Sequence, residues 1–574
     1  MNALSGITSV GLVTLALAAC STSGPAPANG APGAPGNVAG GAAAVGGAAA
    51  AGTTGVATAP TATCADGESG KPAFRSLRRL SEAEYNDTLV DALGLDASSW
   101  QKIQLVGDIR QAGAYSTYSA ALNVNQPWLS ALVDSTFERS QALLSGPQAA
   151  ALLIQPCSAA AIDAACATAV VKKYGYRLFR RPVTESEVAD YVGLFTQGVS
   201  MLQLSPTDAL AGMLAALMQS PSTLYIQQLG QPAASGFQLS GYELASILSY
   251  GLTGTAPSLQ LLDSVASGAL DTPAGITAAT QMLLTSARGQ AHMAEFFRQW
   301  LSYDGAPYAA KDPAVYNLPN TIATAMVTET QTFVDKTYQA GGSLKDLLTS
   351  SSTYVNASLA SFYGWNSAGL TDGEFTLAAR PEGHGIGLLA QGGLLARLGS
   401  PNSSSPTQRG LFVLRQLMCG DVPPPPADIP SIPVPSGNAT TRERYESEHA
   451  VGSCGACHTH IDQIGFGLEN FDGVGQYRTT EAGKPIDASG YIEDLSHATF
   501  SGPEDLARKL AEAPQVNRCL AAQMTAYVLG VSAHDGLCIA PAASYATGAA
   551  PLSLAAVLAQ VVEPTHLQQR IAPQ

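Results

Sequence analysis

Helix start signals recur along this chain so regularly that little room is left for any other regular structure. Ser81-Glu82-Ala83-Glu84 is a capping box, in which hydroxyl and carboxylate each satisfy a backbone N–H left over at the helix start. Tyr85, Leu89 and Leu93 then follow on one face, and Gly94 is the stop. Thr184-Glu185-Ser186-Glu187 repeats the device, with Val183 and Val188 spaced as a hydrophobic staple and Val188, Tyr191, Val192 and Phe195 as the buried stripe. Ser205-Pro206 sets proline at the first helical position, ahead of an apolar run over 209–218. Residues 239–252, 292–301, 323–338 and 407–418 are also patterned as helices. A short charged helix is expected over 441–450, and an amphipathic pair over 502–529 through Leu506, Leu510, Leu520, Met524 and Val528. Alternating strand patterns are few, so the predicted fold class is mainly α, an array of helical modules.

The N-terminus speaks to compartment. Residues 7–19 are apolar and end in Leu17-Ala18-Ala19-Cys20, the form of a bacterial lipobox, after which Cys20 would carry the lipid. The apolar run is too short to span a bilayer and reads as a signal segment. Residues 1–6 hold no Lys or Arg, a departure from the positive start of a signal, and a cleavable signal without lipid is the alternative. Residues 21–63, rich in Gly, Ala, Pro, Ser and Thr, carry no charged residue and cannot bury a core; they read as a flexible leash. The net charge of −15 argues against nucleic acid and against polybasic docking on anionic lipid. Membrane contact is therefore expected through the lipid anchor only, on an exported protein of the outer membrane or cell surface, with the periplasmic face as the alternative.

Cys454, Gly455, Ala456, Cys457 and His458 spell C-x-x-C-H, the attachment sequence of a c-type haem. The thiols suit thioether bonds to the two porphyrin vinyl groups, and His458 suits the proximal position on the iron. Zinc is the alternative cofactor, held by Cys454, Cys457, His458 and His460; a C-x-x-C redox pair is a third, without the β-α-β pattern that usually surrounds it. His449 can be read as a ligand, with a capping or surface histidine the favoured reading. The nine cysteines are Cys20, the motif pair and six more, an even set that favours disulfides in an exported chain. Cys157 and Cys166, close in sequence, are expected to pair; Cys519 with Cys538 and Cys64 with Cys419 are weaker expectations. Arg177, Arg180 and Arg181 could clamp an acidic partner, but a solvated or internally paired helix end is favoured. No serine-histidine-aspartate pattern, phosphate-binding glycine loop or H-E-x-x-H supports hydrolase or nucleotide chemistry.

Boundaries follow from composition: a signal over 1–20, the leash over 21–63, helical modules over 64–146, 157–220 and 237–365, and a helix plus polyproline strap over 379–436. The strap takes in Pro423 to Pro426, and a haem module with C-terminal helices follows over 437–574.

Nearly everything after the leash resembles the serial domains of unknown function found together in large exported proteins of planctomycetes and myxobacteria, whose late domain carries a cytochrome-c-like C-x-x-C-H. The matching stretches include Leu77-Arg78-Arg79-Leu80-Ser81, Phe179-Arg180-Arg181-Pro182-Val183-Thr184, Gln299-Trp300-Leu301, and Ser405-Pro406 with Arg409-Gly410. Most specific are Arg442-Glu443-Arg444, His449, the C-x-x-C-H itself, Ile461-Asp462, and Gly465-Phe466-Gly467-Leu468-Glu469-Asn470-Phe471-Asp472, closing on Gly475 and Arg478. Gln463 departs from the resemblance, because the family has proline there and a proline carbonyl orients the proximal imidazole in many c-type cytochromes.

The expectation is a surface-anchored c-type haem protein passing single electrons, an electron-transfer protein more than an enzyme. Phe466, Leu468 and Phe471, with Ile461, would wall the haem. No methionine lies between His460 and Phe500, so the sixth ligand is expected to be His497 or Met524, with Met418 or an open position less favoured. The N-terminal helices would bind a redox partner protein or a surface polymer. The alternatives are a non-catalytic scaffold with a structural C-x-x-C-H segment, and a haem enzyme with an open sixth position.

Overall fold

The capping boxes form as their spacing requires. Ser81 Oγ accepts from the Glu84 amide while the Glu84 carboxylate accepts from the Ser81 amide, opening helix Glu82–Leu93, which ends on Gly94 at φ 69°. Thr184 and Glu187 do the same for Glu185–Ser200, and Ser240 and Glu243 for Gly241–Thr253. Pro206 is the first residue of Pro206–Gln219. The amphipathic pair forms as Gly502–Glu512 and Pro514–Leu529, split where Pro514 cannot continue the first helix. Helices dominate, and the computed structural model is mainly α as expected. It describes residues 77–574 apart from 106–113, 148, 154–155, 159–160, 234–235, 304–310, 423–437, 450–454, 534–550, 563–566 and 571–574. Cys20, the leash, Cys64, the polyproline strap, Cys454 and Cys538 lie outside the described residues.

Strands among the described residues are short and antiparallel, in two-stranded pairs and one three-stranded sheet. Arg78–Arg79 pairs with Tyr225–Ile226, Ser352–Val355 with Thr376–Ala379, and Ser489–Ile492 with Ala498–Ser501. One apolar core runs from Leu80 and Tyr85 through Phe296, Phe297 and Trp300 to Leu520 and Val528. A smaller cluster, with Met326, Val355 and Leu359 at its centre, lies beside it.

Arginines of the sequence motifs are buried as structural ties. Arg78 makes a two-pronged pair with Glu84 at 2.9 Å on each arm, and the Arg79 guanidinium lies 4.4 Å over the Trp128 ring. Arg180, fully buried, donates to the carbonyls of Leu178, Ser222, Thr223 and Tyr225. Arg181 pairs with Glu187 at 2.7 Å, and Arg177 donates to the Ala92 carbonyl. The three serve the fold from inside the chain, which leaves no free cationic clamp.

Two disulfides form among the described residues. Cys157–Cys166 is the pair proximity suggested, but Cys519 bonds Cys419, which overturns both the Cys519–Cys538 and the Cys64–Cys419 expectations. The reason is tertiary: Pro514–Leu529 packs on the turn Val413–Leu417 and brings the two Cα atoms to 5.3 Å, across a sequence separation of 100. These bonds are consistent with export, and no helix among the described residues is long and apolar enough to cross a membrane.

The C-x-x-C-H motif enters helix Gly455–Phe466, which crosses helix Pro406–Phe412 at backbone contact. A Cβ on Gly465 would fall 1.9 Å from the Pro406 carbonyl oxygen, and one on Gly410 would fall 1.9 Å from that of Ile461. Gly465→Ala is therefore expected to destabilise the protein by about 1–3 kcal/mol through overpacking. Gly212→Ala, with open space around that helical position, should instead stabilise it by about 0.5–1 kcal/mol. Urea unfolding of the two variants checks the opposite signs; a neutral Gly465→Ala would refute the tight crossing.

Candidate functional site

The helix crossing brings together residues far apart in the chain. His458 and Asp462 stand one turn apart on one face of Gly455–Phe466. Asp462 Oδ2 accepts from His458 Nδ1 at 3.1 Å and from His449 Nδ1 at 2.7 Å, and Oδ1 accepts from Thr407 Oγ1 at 2.6 Å. His449 is the last residue of Thr441–His449, with Tyr445 edge-on to its ring and the Tyr445 hydroxyl 3.3 Å from Ser405 Oγ. The rings of His449 and His458 have their centroids 3.7 Å apart. Burial alone would raise the Asp462 carboxyl, but the hydrogen bonds from His449, His458 and Thr407 outweigh it and hold the group below its ordinary value. Asp462 is thus a buried carboxylate serving two imidazoles.

A second network, buried at Arg409, Glu469 and Ser404, fixes the loop that follows the helix. Arg409 donates to the carbonyls of Leu468, Phe471 and Asp472 and lies 3.2 Å from Glu469 Oε1. Glu469 Oε2 accepts from Ser404 Oγ at 2.7 Å and from Arg478 at 3.2 Å, and Arg478 goes on to Glu481, whose carboxylate accepts from both the amide and the hydroxyl of Thr441. Burial pushes the Glu469 carboxyl up, against the pull of Arg409 and Arg478. Much of the specific motif from Gly465 to Arg478 is thus scaffold, tying the start of the His449 helix to the loop after the His458 helix.

Of the residues singled out by sequence, Cys457 is a free, exposed thiol on the first turn of the helix, and His458 is partly exposed beside it. Phe466 is buried beneath the Arg442 guanidinium at 4.5 Å, Leu468 is buried in the main core, and Phe471 packs edge-on against Tyr477. His497 sits in the hairpin joining Ser489–Ile492 to Ala498–Ser501, its exposed ring stacked on Tyr491 and bonded to Glu493 at 2.7 Å. That hairpin packs on the motif helix, where a Cβ on Gly490 would fall 2.2 Å from the Gln463 carbonyl oxygen. Met524 is buried within Pro514–Leu529. His449, favoured in the sequence as a cap or surface residue, is instead buried against Asp462; both residues stood in the motif series, but nothing in the sequence showed that they pair.

A separate cavity of about 700 Å³ went unnoticed in the sequence. It is lined by Glu84, Asp87, Tyr115, His292, Glu295 and Tyr527 among others, and burial pushes the His292 imidazole down to about 4, so that it stays neutral at ordinary pH. No residue pattern pointed to it, because its walls come from widely separated parts of the chain.

These features define a helical chain with a histidine–carboxylate–histidine cluster beside a C-x-x-C-H thiol. Three family models match it in series: PSD5, protein of unknown function (DUF1595), over residues 166–227; PSD4, protein of unknown function (DUF1592), over 239–365; and PSCyt3, protein of unknown function (DUF1588), over 386–481. The chain therefore carries serial domains of the type its motifs resemble, and the His449–His458–Asp462 cluster falls inside the third. No curated protein and no solved structure matches the chain.

Proposed function

We propose that this protein is an exported, lipid-anchored carrier of single electrons that holds one covalent haem c in its C-terminal part. Cys454 and Cys457 would be the attachment points and His458 the proximal ligand. The observation that carries the reading is the bond from His458 Nδ1 to Asp462. A metal-bound imidazole needs its second nitrogen anchored, and a carboxylate anchor raises its basicity and leaves Nε2 for the metal. Asp462 thus supplies what the missing proline at Gln463 would otherwise leave open, so the donor set fits the group. Bound there, the haem would supply a one-electron couple, and the free, exposed thiol of Cys457 would form one of its thioethers. The family name PSCyt3 agrees with a cytochrome-like role, although that family is itself of unknown function. Lipid attachment at Cys20 and a redox partner or surface polymer for the N-terminal helices belong to the same proposal.

A second reading has an observation of its own: donor atoms of His449, His458 and Asp462 lie within 4.8 Å of one another, as a site for a divalent cation such as zinc would require. One experiment separates the two. Protein produced with a c-type maturation system is expected to carry one haem that survives denaturation and gives a pyridine haemochrome band, and replacing Cys454 and Cys457 together with Ala is expected to abolish it. Stoichiometric zinc with no haem would overturn the electron-carrier reading in favour of the second.

A further inference from the structure

Resting on the haem reading, we infer that Asp462 is the positioning residue for the His458 imidazole and sets the redox poise of the site, and that His449 moderates it by drawing on the same carboxylate oxygen. The geometry makes the assignment. Oδ2 of Asp462 is shared by two ring nitrogens, while Oδ1 is held by Thr407, so the carboxylate has no freedom to swing away. An ionised carboxylate only accepts, so both imidazoles must carry their proton on Nδ1. Each then has Nε2 as its remaining nitrogen, the tautomer a metal-binding imidazole needs.

His449 is excluded from the opposite face of the iron by distance. Two imidazoles on either side of one metal, each bonded at about 2 Å, have centroids roughly 6 Å apart. The observed 3.7 Å leaves no room for a metal between the two rings, so His449 packs against the His458 ring and would not hold the iron from across it. Its role is then electrostatic and steric: it takes part of the hydrogen-bonding capacity of Oδ2 and limits rotation of the His458 ring. A carboxylate on Nδ1 makes the imidazole a stronger donor and favours the oxidised metal, and each hydrogen bond the carboxylate accepts elsewhere weakens that effect.

The two residues should therefore act with opposite sign. In full-length haem-loaded protein, Asp462→Asn is expected to raise the potential so that the reduced-to-oxidised ratio at fixed poise increases at least tenfold, which is 59 mV for a one-electron couple. His449→Phe is expected to lower it. A residue that merely held the fold would shift both in the same direction or neither, and an unchanged or lowered potential in Asp462→Asn would overturn the inference. If Asp462→Asn fails to fold, Asp462→Glu and His449→Phe carry the test: the retained charge should leave the potential within a few-fold in ratio, and a tenfold rise in either overturns the inference. A haem-free readout distinguishes this from failure of the haem reading. In apo-protein labelled with 15N-histidine, His449 and His458 should both give the Nδ1–H signature. That signature without any haem attachment would sustain the Asp462 anchor while sinking the cytochrome; its absence at His458 would overturn the anchor whether or not haem binds.

Discussion

Replacing Cys419 and Cys519 together with alanine is expected to lower the unfolding free energy by roughly 4–5 kcal/mol, whereas the same treatment of Cys157 and Cys166 should cost about half as much. The contrast follows from chain statistics. The first bond closes a loop across a separation of 100 residues and the second across 9. The entropy removed from the unfolded ensemble grows with the logarithm of that length. The long bond also joins two elements that position the site: Cys419 follows the turn that continues helix Pro406–Phe412, and Cys519 lies on Pro514–Leu529. Urea unfolding of both double variants, read at the midpoint and with the slope checked for a changed unfolded state, measures the difference. Equal losses would mean that native-state packing around Cys419, and not loop closure, carries the stabilisation.

What could be read from the sequence was what is local. A capping box is written within four residues, so Ser81 with Glu84 and Thr184 with Glu187 announced their helices. Distant pairings left no such mark. Nothing near Cys519 shows that its partner is Cys419 and not Cys538, because the pairing depends on one helix lying across another. Arg180 looked like a charge at a helix end, and only the fold reveals the four carbonyls that bury it. The same limit applied at the site. Cys457 and His458 were found because they are adjacent, while His449 was demoted because its partner Asp462 lies 13 positions away on another helix. Gly410 and Gly465 stood in the motif series, but their purpose appears only where two backbones meet. Polar pairs of this kind carry no periodic signature, and apolar stripes do.

Arg409→Leu is expected to cost roughly 3–5 kcal/mol, because removing one partner of a buried ion pair strands the other. Here the stranding is compounded. Arg409 is fully buried and satisfies the carbonyls of Leu468, Phe471 and Asp472 together with Glu469. Leucine fills much of the volume yet leaves those acceptors without their donor and Glu469 dependent on Arg478 and Ser404. Glu469→Gln should cost less, since the amide keeps an acceptor for Ser404 and Arg409, though it loses its charge partner, keeps its three carbonyls. Arg409→Lys should not rescue the loss, because one ammonium cannot spread its donors over three carbonyls and a carboxylate as a planar fork does. The consequence reaches the site, since Arg409 and Thr407 share the helix that also presents Gly410 to the motif helix, and Thr407 holds Asp462. Loosening this network should therefore broaden the histidine 15N signals of His458 even where the protein stays folded. Measured stability of Arg409→Leu within 1 kcal/mol of the parent, with those signals unchanged, would show that the loop is held by its apolar residues instead, and that the charged motif residues serve some purpose other than scaffolding the two imidazoles.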